Sequence, residues 1–142
     1  MLIGTILRNK GSDVATVAPQ ATVRDLLAAL AEHNIGAVVV SEDGVTIDGI
    51  VSERDVVRRL HDRGAGILDE PVSSIMTAEV RTVTPADRVD ELRETMTTHR
   101  IRHVPVVEND RLAGIVSIGD VVKSAIDELE TEKASLVDYL HR

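Results

Sequence analysis

The sequence predicts a mixed α/β (α+β) fold. Two copies of one β-α-β-β-α unit are related by a pseudo-twofold, and an extended C-terminal helix follows them. Three observations predict this. First, Val14 to Arg58 and Val80 to Lys123 align with eighteen identities. An internal repeat of this kind fixes an architecture before any single element is assigned. Second, each copy orders its signals identically: a Thr-Val-x-Pro opening, a helical pattern, a β-branched run, a turn and Gly-Ile-Val-Ser-x-x-Asp. Third, apolar residues at helical spacing continue beyond the second copy, where the repeat no longer needs them.

The elements follow in order. Ile3 to Arg8 is amphipathic and reads as a lead-in to copy one. Val14 to Pro19 is the opening strand. Thr22-Val-Arg-Asp25 has the spacing of a capping box. Val23, Leu26, Leu27, Leu30 and Ala31 continue it as a helix ending at Asn34. Ala37 to Ser41 reads as a short buried strand, because β-branched residues run without polar interruption. Asp43-Gly44 is a turn. Gly49 to Ser52 is the next strand, and Glu53 to Arg63 a helix stopped by Gly64. Gly64 to Pro71 is the linker, and Val72 to Met76 leads into copy two. Copy two repeats the plan with a helix over Asp87 to His99, strands His103 to Glu108 and Leu112 to Ser117, a turn at Asn109-Asp110, and a helix from Gly119. The expected division is repeat one over 1–70, repeat two over 71–125 and the helical extension over 126–142. The extension carries Ile126, Leu129, Ala134, Leu136, Val137 and Leu140 among acidic residues, and such a stripe requires a partner surface.

Composition narrows the function classes. The chain has 142 residues, 43% hydrophobic, with no Phe, no Trp and one Tyr. Its core must therefore be Val, Ile, Leu and Ala. Neither copy is large enough for a robust core alone, so the copies should share a face. The net charge of −8 excludes a general nucleic-acid binder, which needs a basic footprint. Without aromatics there is no stacking platform for single strands. The absence of cysteine fits a reducing compartment. No apolar run reaches the length of a membrane span. A soluble, cytoplasmic protein is expected, with no membrane partner. No nucleophile elbow, phosphate loop or catalytic triad is present, so no enzyme is predicted. His99 and His103 stand four apart, but they straddle a helix end and a strand. With no further ligand to complete a site, metal binding is not predicted.

The candidate binding residues cluster at element junctions. Ser52-Glu-Arg-Asp55 and Ser117-Ile-Gly-Asp120 each sit where a strand becomes a helix. Free N–H groups and the helix dipole favour anions and polyols there. A carboxylate in the first turn can accept both hydroxyls of a ribose. The same spacing also serves as a plain capping box, as at Thr22 and Asp25. Gly36, Ala37 and Val38 are small enough for a flat ring to approach their backbone, or else they are simply a buried strand. The copies differ most here: copy two has Arg100-Ile-Arg102-His103 in place of Ile35-Gly36-Ala37.

The repeated motifs resemble a tandem pair of cystathionine-β-synthase (CBS) domains, a Bateman module. The resemblance covers residues 1 to about 125. It implies adenosine-type ligands in clefts between the units: AMP, ADP or ATP first, then NAD(H) or S-adenosylmethionine, with no cofactor required. It implies that Asp55 and Asp120 hold ribose and that Ser52 and Ser117 sit beside them. Thr16 and Thr82 would lie against adenine and sugar, or act only as strand-edge residues. It also places Pro105 among the cleft residues. Arg102 and His103 match positions where the family's AMP-sensing kinase subunits put basic residues against phosphate. Arg100 and Arg54 would add charge. The alternative is that Arg100 and Arg102 are solvated charges pairing with some of the chain's excess acids, or that Arg54 blocks one cleft, since many relatives carry a small residue there, as copy two does at Gly119. A flat homodimer and a separate effector protein are the implied partners. A scaffold with vestigial clefts is the competing reading.

Overall fold

Local chemistry sets the element ends in the computed structural model, which describes residues 1–11 and 13–141; the outermost position of the predicted extension and one residue of repeat one lie outside these. Helix α1 spans Ile3–Lys10, and strand β1 is Thr16–Val17. Thr22 and Asp25 close a capping box, so α2 runs Val23–His33; Asn34 ends it in the left-handed region. Strand β2 (Ala37–Val40) pairs in parallel with β1 and antiparallel with β3 (Gly49–Ser52). Ser52 caps α3 (Glu53–Arg63), and Gly64 at φ +79° terminates it. Copy one is therefore a three-stranded sheet, β1-β2-β3, covered by two helices.

Copy two departs in two places. Helix α4 spans Val89–His99 rather than starting at Asp87. The Asp87 carboxylate instead accepts the Thr84 N–H at 2.7 Å and holds the preceding turn. Strands β4 (His103–Glu108) and β5 (Arg111–Ser117) form a hairpin through the positive-φ pair Asn109-Asp110. The expected opening strand is reduced to a single parallel rung, Val83 against Val106. A bulge at Val106/Val107 interrupts the ladder there, which limits further pairing. Helix α5 runs Ile118–Leu140. Among the described residues, no helix is long and apolar enough to cross a membrane.

Each unit has an aliphatic core, and the lead-ins are exchanged. Ile3, Ile6 and Leu7 of α1 pack with Val89, Leu92, Met96, Val104 and Val116, the core of copy two. Val72 and Ile75, from the segment before copy two, pack with Leu26, Val38, Val51 and Val56 of copy one. The expectation that Ile3 to Arg8 serves copy one is corrected: it serves the other copy. Two glycines at matching repeat positions receive these segments. A Cβ on Gly114 would lie 2.6 Å from Leu7 Cδ2, and one on Gly49 would lie 2.6 Å from Met76 Sδ. At Gly49 a Cβ would also lie 2.8 Å from the Thr77 carbonyl oxygen, while at Gly114 the Leu7 side chain would have to move.

Candidate functional site

The two Ser-x-x-Asp segments form the predicted capping boxes. Asp55 Oδ2 accepts the Ser52 N–H at 2.8 Å and the Ser52 hydroxyl at 3.0 Å. Asp120 Oδ2 accepts the Ser117 N–H at 2.9 Å. What separates the two is Lys10, at the C-terminal end of α1. Its ammonium donates to Asp120 Oδ2 at 2.6 Å and to the Ile115 carbonyl at 2.8 Å. Burial opposes the charge on Asp120. The Lys10 and Ser117 hydrogen bonds outweigh that, and its pKa lies below the usual carboxylate value. Lys10 carries no repeat signal, and its distance in sequence from Asp120 hid it from sequence reasoning. Only the exchange of α1 brings it there.

The copies meet beside this pair. Matching junctions are tied by matching bonds: Glu53 N–H to the Gly36 carbonyl at 2.9 Å, and Ile118 N–H to the Arg102 carbonyl at 2.8 Å. His103 pairs with Ser117 across the hairpin, and its ring also faces copy one. A Cβ on Gly36 would lie 3.3 Å from Glu53 Oε1 and 3.6 Å from His103 Cε1. Gly36 thus lets α3 and β4 approach each other. Burial, with help from Lys10 and Arg102, pushes the His103 pKa down against the pull of Glu53 and Asp120. The imidazole is therefore mainly neutral at pH 7 and offers hydrogen bonds rather than charge. Glu53 is a second residue that sequence reasoning missed.

Arg102, Arg54 and Arg100 are exposed. Among the described residues, none of the three has a carboxylate within ion-pairing distance. The exposure of Arg100 and Arg102 fits the solvated-charge alternative, without the pairing to excess acids. Arg100 occupies the left-handed C-cap of α4 at φ +53°, the place Asn34 fills in copy one.

Other predicted residues fall elsewhere. Val38 is wholly buried and Ala37 nearly so, both inside copy one. Their side chains have no surface for a ring, so the small-residue approach reduces to Gly36. Pro105 is likewise buried, and its carbonyl accepts the Val83 N–H at 3.1 Å. Thr16 is half-buried in β1 opposite Val39. Thr82 lines a separate inter-copy groove of about 250 Å³ with Val45, Ile47, Val80, Val107 and Leu112. That groove is held by a Leu112 N–H to Val45 carbonyl bond of 2.9 Å. Asp43 sets the position of Val45, because its carboxylate accepts the Val45 and Thr46 N–H groups at 2.8 and 2.7 Å. Those bonds hold its pKa far below the ordinary range. His99 closes α4 while His103 opens β4, and among the described residues no three His, Asp or Glu side chains gather as a metal site.

Two segments, residues 7–62 and 72–127, match the CBS domain model. The chain belongs to the CBS domain family. A CBS-domain containing protein of Agrobacterium tumefaciens is 45% identical; the match covers 88% of this chain and 99% of that one, with a TM-score of 0.85. The mitochondrial CBS domain-containing protein CBSX3 of Arabidopsis thaliana is 38% identical over 84% of this chain, which spans 60% of that relative's length. A CBS domain protein of Pyrobaculum aerophilum, solved in complex with AMP, is 33% identical, with a TM-score of 0.74 over 84% of this chain and 89% of that one. The two matched segments agree with the two-unit architecture. The CBS pair here joins Lys10 to Asp120 and sets the charges of both, and of Arg102, near His103.

Proposed function

We propose that this CBS pair is a cytoplasmic regulatory module without turnover of its own. It binds an adenosine nucleotide at the copy-two junction and passes the signal to a separate effector or through a homodimer. AMP, ADP or ATP is the first ligand class, with NAD(H) and S-adenosylmethionine next. The observation that carries this is the asymmetry around the two aspartates. Asp120 stands beside Lys10, with the unpaired Arg102 and the neutral His103 next to it. A ribose on Asp120 would leave its phosphate among cations, where the planar guanidinium of Arg102 matches phosphate oxygens. At the matching place in copy one, the Glu53 carboxylate lies against Gly36, and a carboxylate there repels phosphate. Glu53 also faces His103, so its repulsion acts on both junctions, and the copy-two site is favoured because it has Lys10 and Arg102 to offset it. The solved AMP complex of the Pyrobaculum relative supports the ligand class.

A thermal-denaturation panel tests this. A nucleotide that binds only the folded chain, present at 100 times its Kd, adds about 2.7 kcal/mol. The melting temperature should rise on the order of 4–8 °C. No rise with AMP, ATP, NAD(H) or S-adenosylmethionine at millimolar levels rejects the proposal. Phosphate recognition is tested by Arg102→Ala. The wild type should prefer AMP to adenosine, and the variant should lose roughly ten- to a hundredfold of that preference, the effect of one charged hydrogen-bonding group. Equal affinities of the wild type for AMP and adenosine would show that no phosphate site exists.

A further inference from the structure

The free end of α5 has a pattern more specific than amphipathicity. Its first turns pack on the chain itself, where Val121 and Ser124 are buried. Beyond Ser124 none of its described residues is buried. Val122, Ile126, Leu129, Leu136 and Leu140 are 49–70% exposed. With Lys133 they step along the helix by four, three, four, three and four residues. That is an uninterrupted 3.5-residue period, the seam of a coiled coil. Ala134 falls outside it. In heptad terms, Ile126, Lys133 and Leu140 take the a positions; Val122, Leu129 and Leu136 take the d positions.

We infer that α5 pairs in parallel with α5 of a second copy through this seam. The inference extends the homodimer reading above by naming its helical contact. The Ile126–Leu129 heptad has Ile at a with Leu at d, the combination that favours two parallel strands, and a single polar residue at a, Lys133, fixes the register. Flanking charge selects the direction. In a parallel pair the flanking positions g and e′ oppose each other, setting Glu132 against Val137 and Ala125 against Glu130, so the one like-charge contact is Lys133 with Lys133 in the a layer. Each Lys133 then lies beside the partner's Glu132, at the g position before the a layer. An antiparallel pair of the same seam would set Glu130 against Glu130 and Glu132 against Glu132. Like charges so placed are destabilising.

The chain contains no cysteine, so full-length single-cysteine variants report the geometry directly. In the parallel pair, Ile126→Cys, Lys133→Cys and Leu140→Cys should each oxidise to a covalent homodimer, because matching a positions lie within disulfide range. Residues 126 and 140 are about 21 Å apart along one helix, and an antiparallel pair with Glu130 against Glu130 opposes a positions to d′ positions, so it would join 126 to 136, in a mixture of Ile126→Cys and Leu136→Cys, and would give no crosslink of 126 to 126 or of 140 to 140. Adding Leu129→Asp and Leu136→Asp, both on the exposed face, should abolish the crosslinks without changing the fold. Absent crosslinks, a crosslink between 126 and 136 only, or crosslinks that survive the two aspartates would each overturn the inference. If the aspartate variant still sediments as a dimer but does not crosslink, the seam is not what holds the dimer, and the homodimer reading itself stands. The nucleotide melting panel is independent of all these outcomes.

Discussion

Truncation of Ile3 to alanine should destabilise the protein by about 2–5 kcal/mol, the usual cost of removing a fully buried Ile side chain. Ile3 is wholly buried. Its N–H donates to the Asp87 carbonyl at 2.9 Å, and the Gly4 N–H donates to the Pro85 carbonyl at 2.9 Å. The side chain therefore fills copy two from a segment that precedes copy one. The chain is short enough that a loss of this size should lower the melting temperature on the order of ten degrees. Ile126→Ala removes an equal volume from a half-exposed position and should stay within about 0.5 kcal/mol at concentrations where the chain is monomeric. Thermal and urea denaturation of both variants decide the matter. If Ile3→Ala costs no more than Ile126→Ala, α1 is not part of the copy-two core. Because α1 ends at Lys10, Ile3→Ala should also weaken AMP binding even where the protein remains folded.

The repeat itself made most of the fold legible. Its Thr-x-x-Asp and Ser-x-x-Asp boxes place the starts of α2, α3 and α5 to within a residue or so, because each box satisfies specific orphan N–H groups. Asn34, Gly64 and Asn109-Asp110 mark ends and turns by their tolerance of positive φ. The exchange of lead-ins was not legible. Ile3 to Leu7 and Val72 to Ile75 are amphipathic segments of the right size for either core, and periodicity shows a buried face without showing what buries it. Gly49 and Gly114 did carry a signal, since each is a glycine inside a strand, a mark of close approach by another segment. The site was legible in part for the same reason. Ser117, Asp120, Arg102 and His103 are local to one hairpin and its helix, and the repeat alignment brings them together. Lys10 and Glu53 reach the site only through packing between segments. Val38 and Pro105 were indistinguishable from ligand-facing residues because a buried strand and a small-residue cleft share one composition.

Asp120→Ala should separate the ribose role from the cap, and Asp55→Ala is its internal control. Both carboxylates accept the N–H of their own Ser. Each variant therefore loses a capping interaction of about 0.5–2 kcal/mol. Only Asp120→Ala also removes the carboxylate of the Lys10 ion pair, leaving Lys10 the Ile115 carbonyl. If Asp120 holds ribose, it further removes charged hydrogen bonds of about 1.5–3 kcal/mol from the complex. AMP affinity should then fall roughly ten- to a hundredfold in Asp120→Ala and stay near the wild-type value in Asp55→Ala. Titration calorimetry measures both. Lys10→Met sharpens the test, because Lys10 now occupies the very oxygen that caps α5. In the nucleotide complex the ammonium can leave Asp120 for the phosphate, while ribose takes the carboxylate. Lys10→Met should thus weaken AMP yet leave adenosine unchanged or bound more tightly, since Asp120 is released from its ion pair. The pair is only partly buried, so high salt should narrow this difference by screening. Equal losses in the two aspartate variants would assign both residues to capping. Unchanged AMP binding in Asp120→Ala would remove the copy-two junction as the nucleotide site, and parallel losses of AMP and adenosine in Lys10→Met would make Lys10 a structural support for α1 rather than a phosphate ligand.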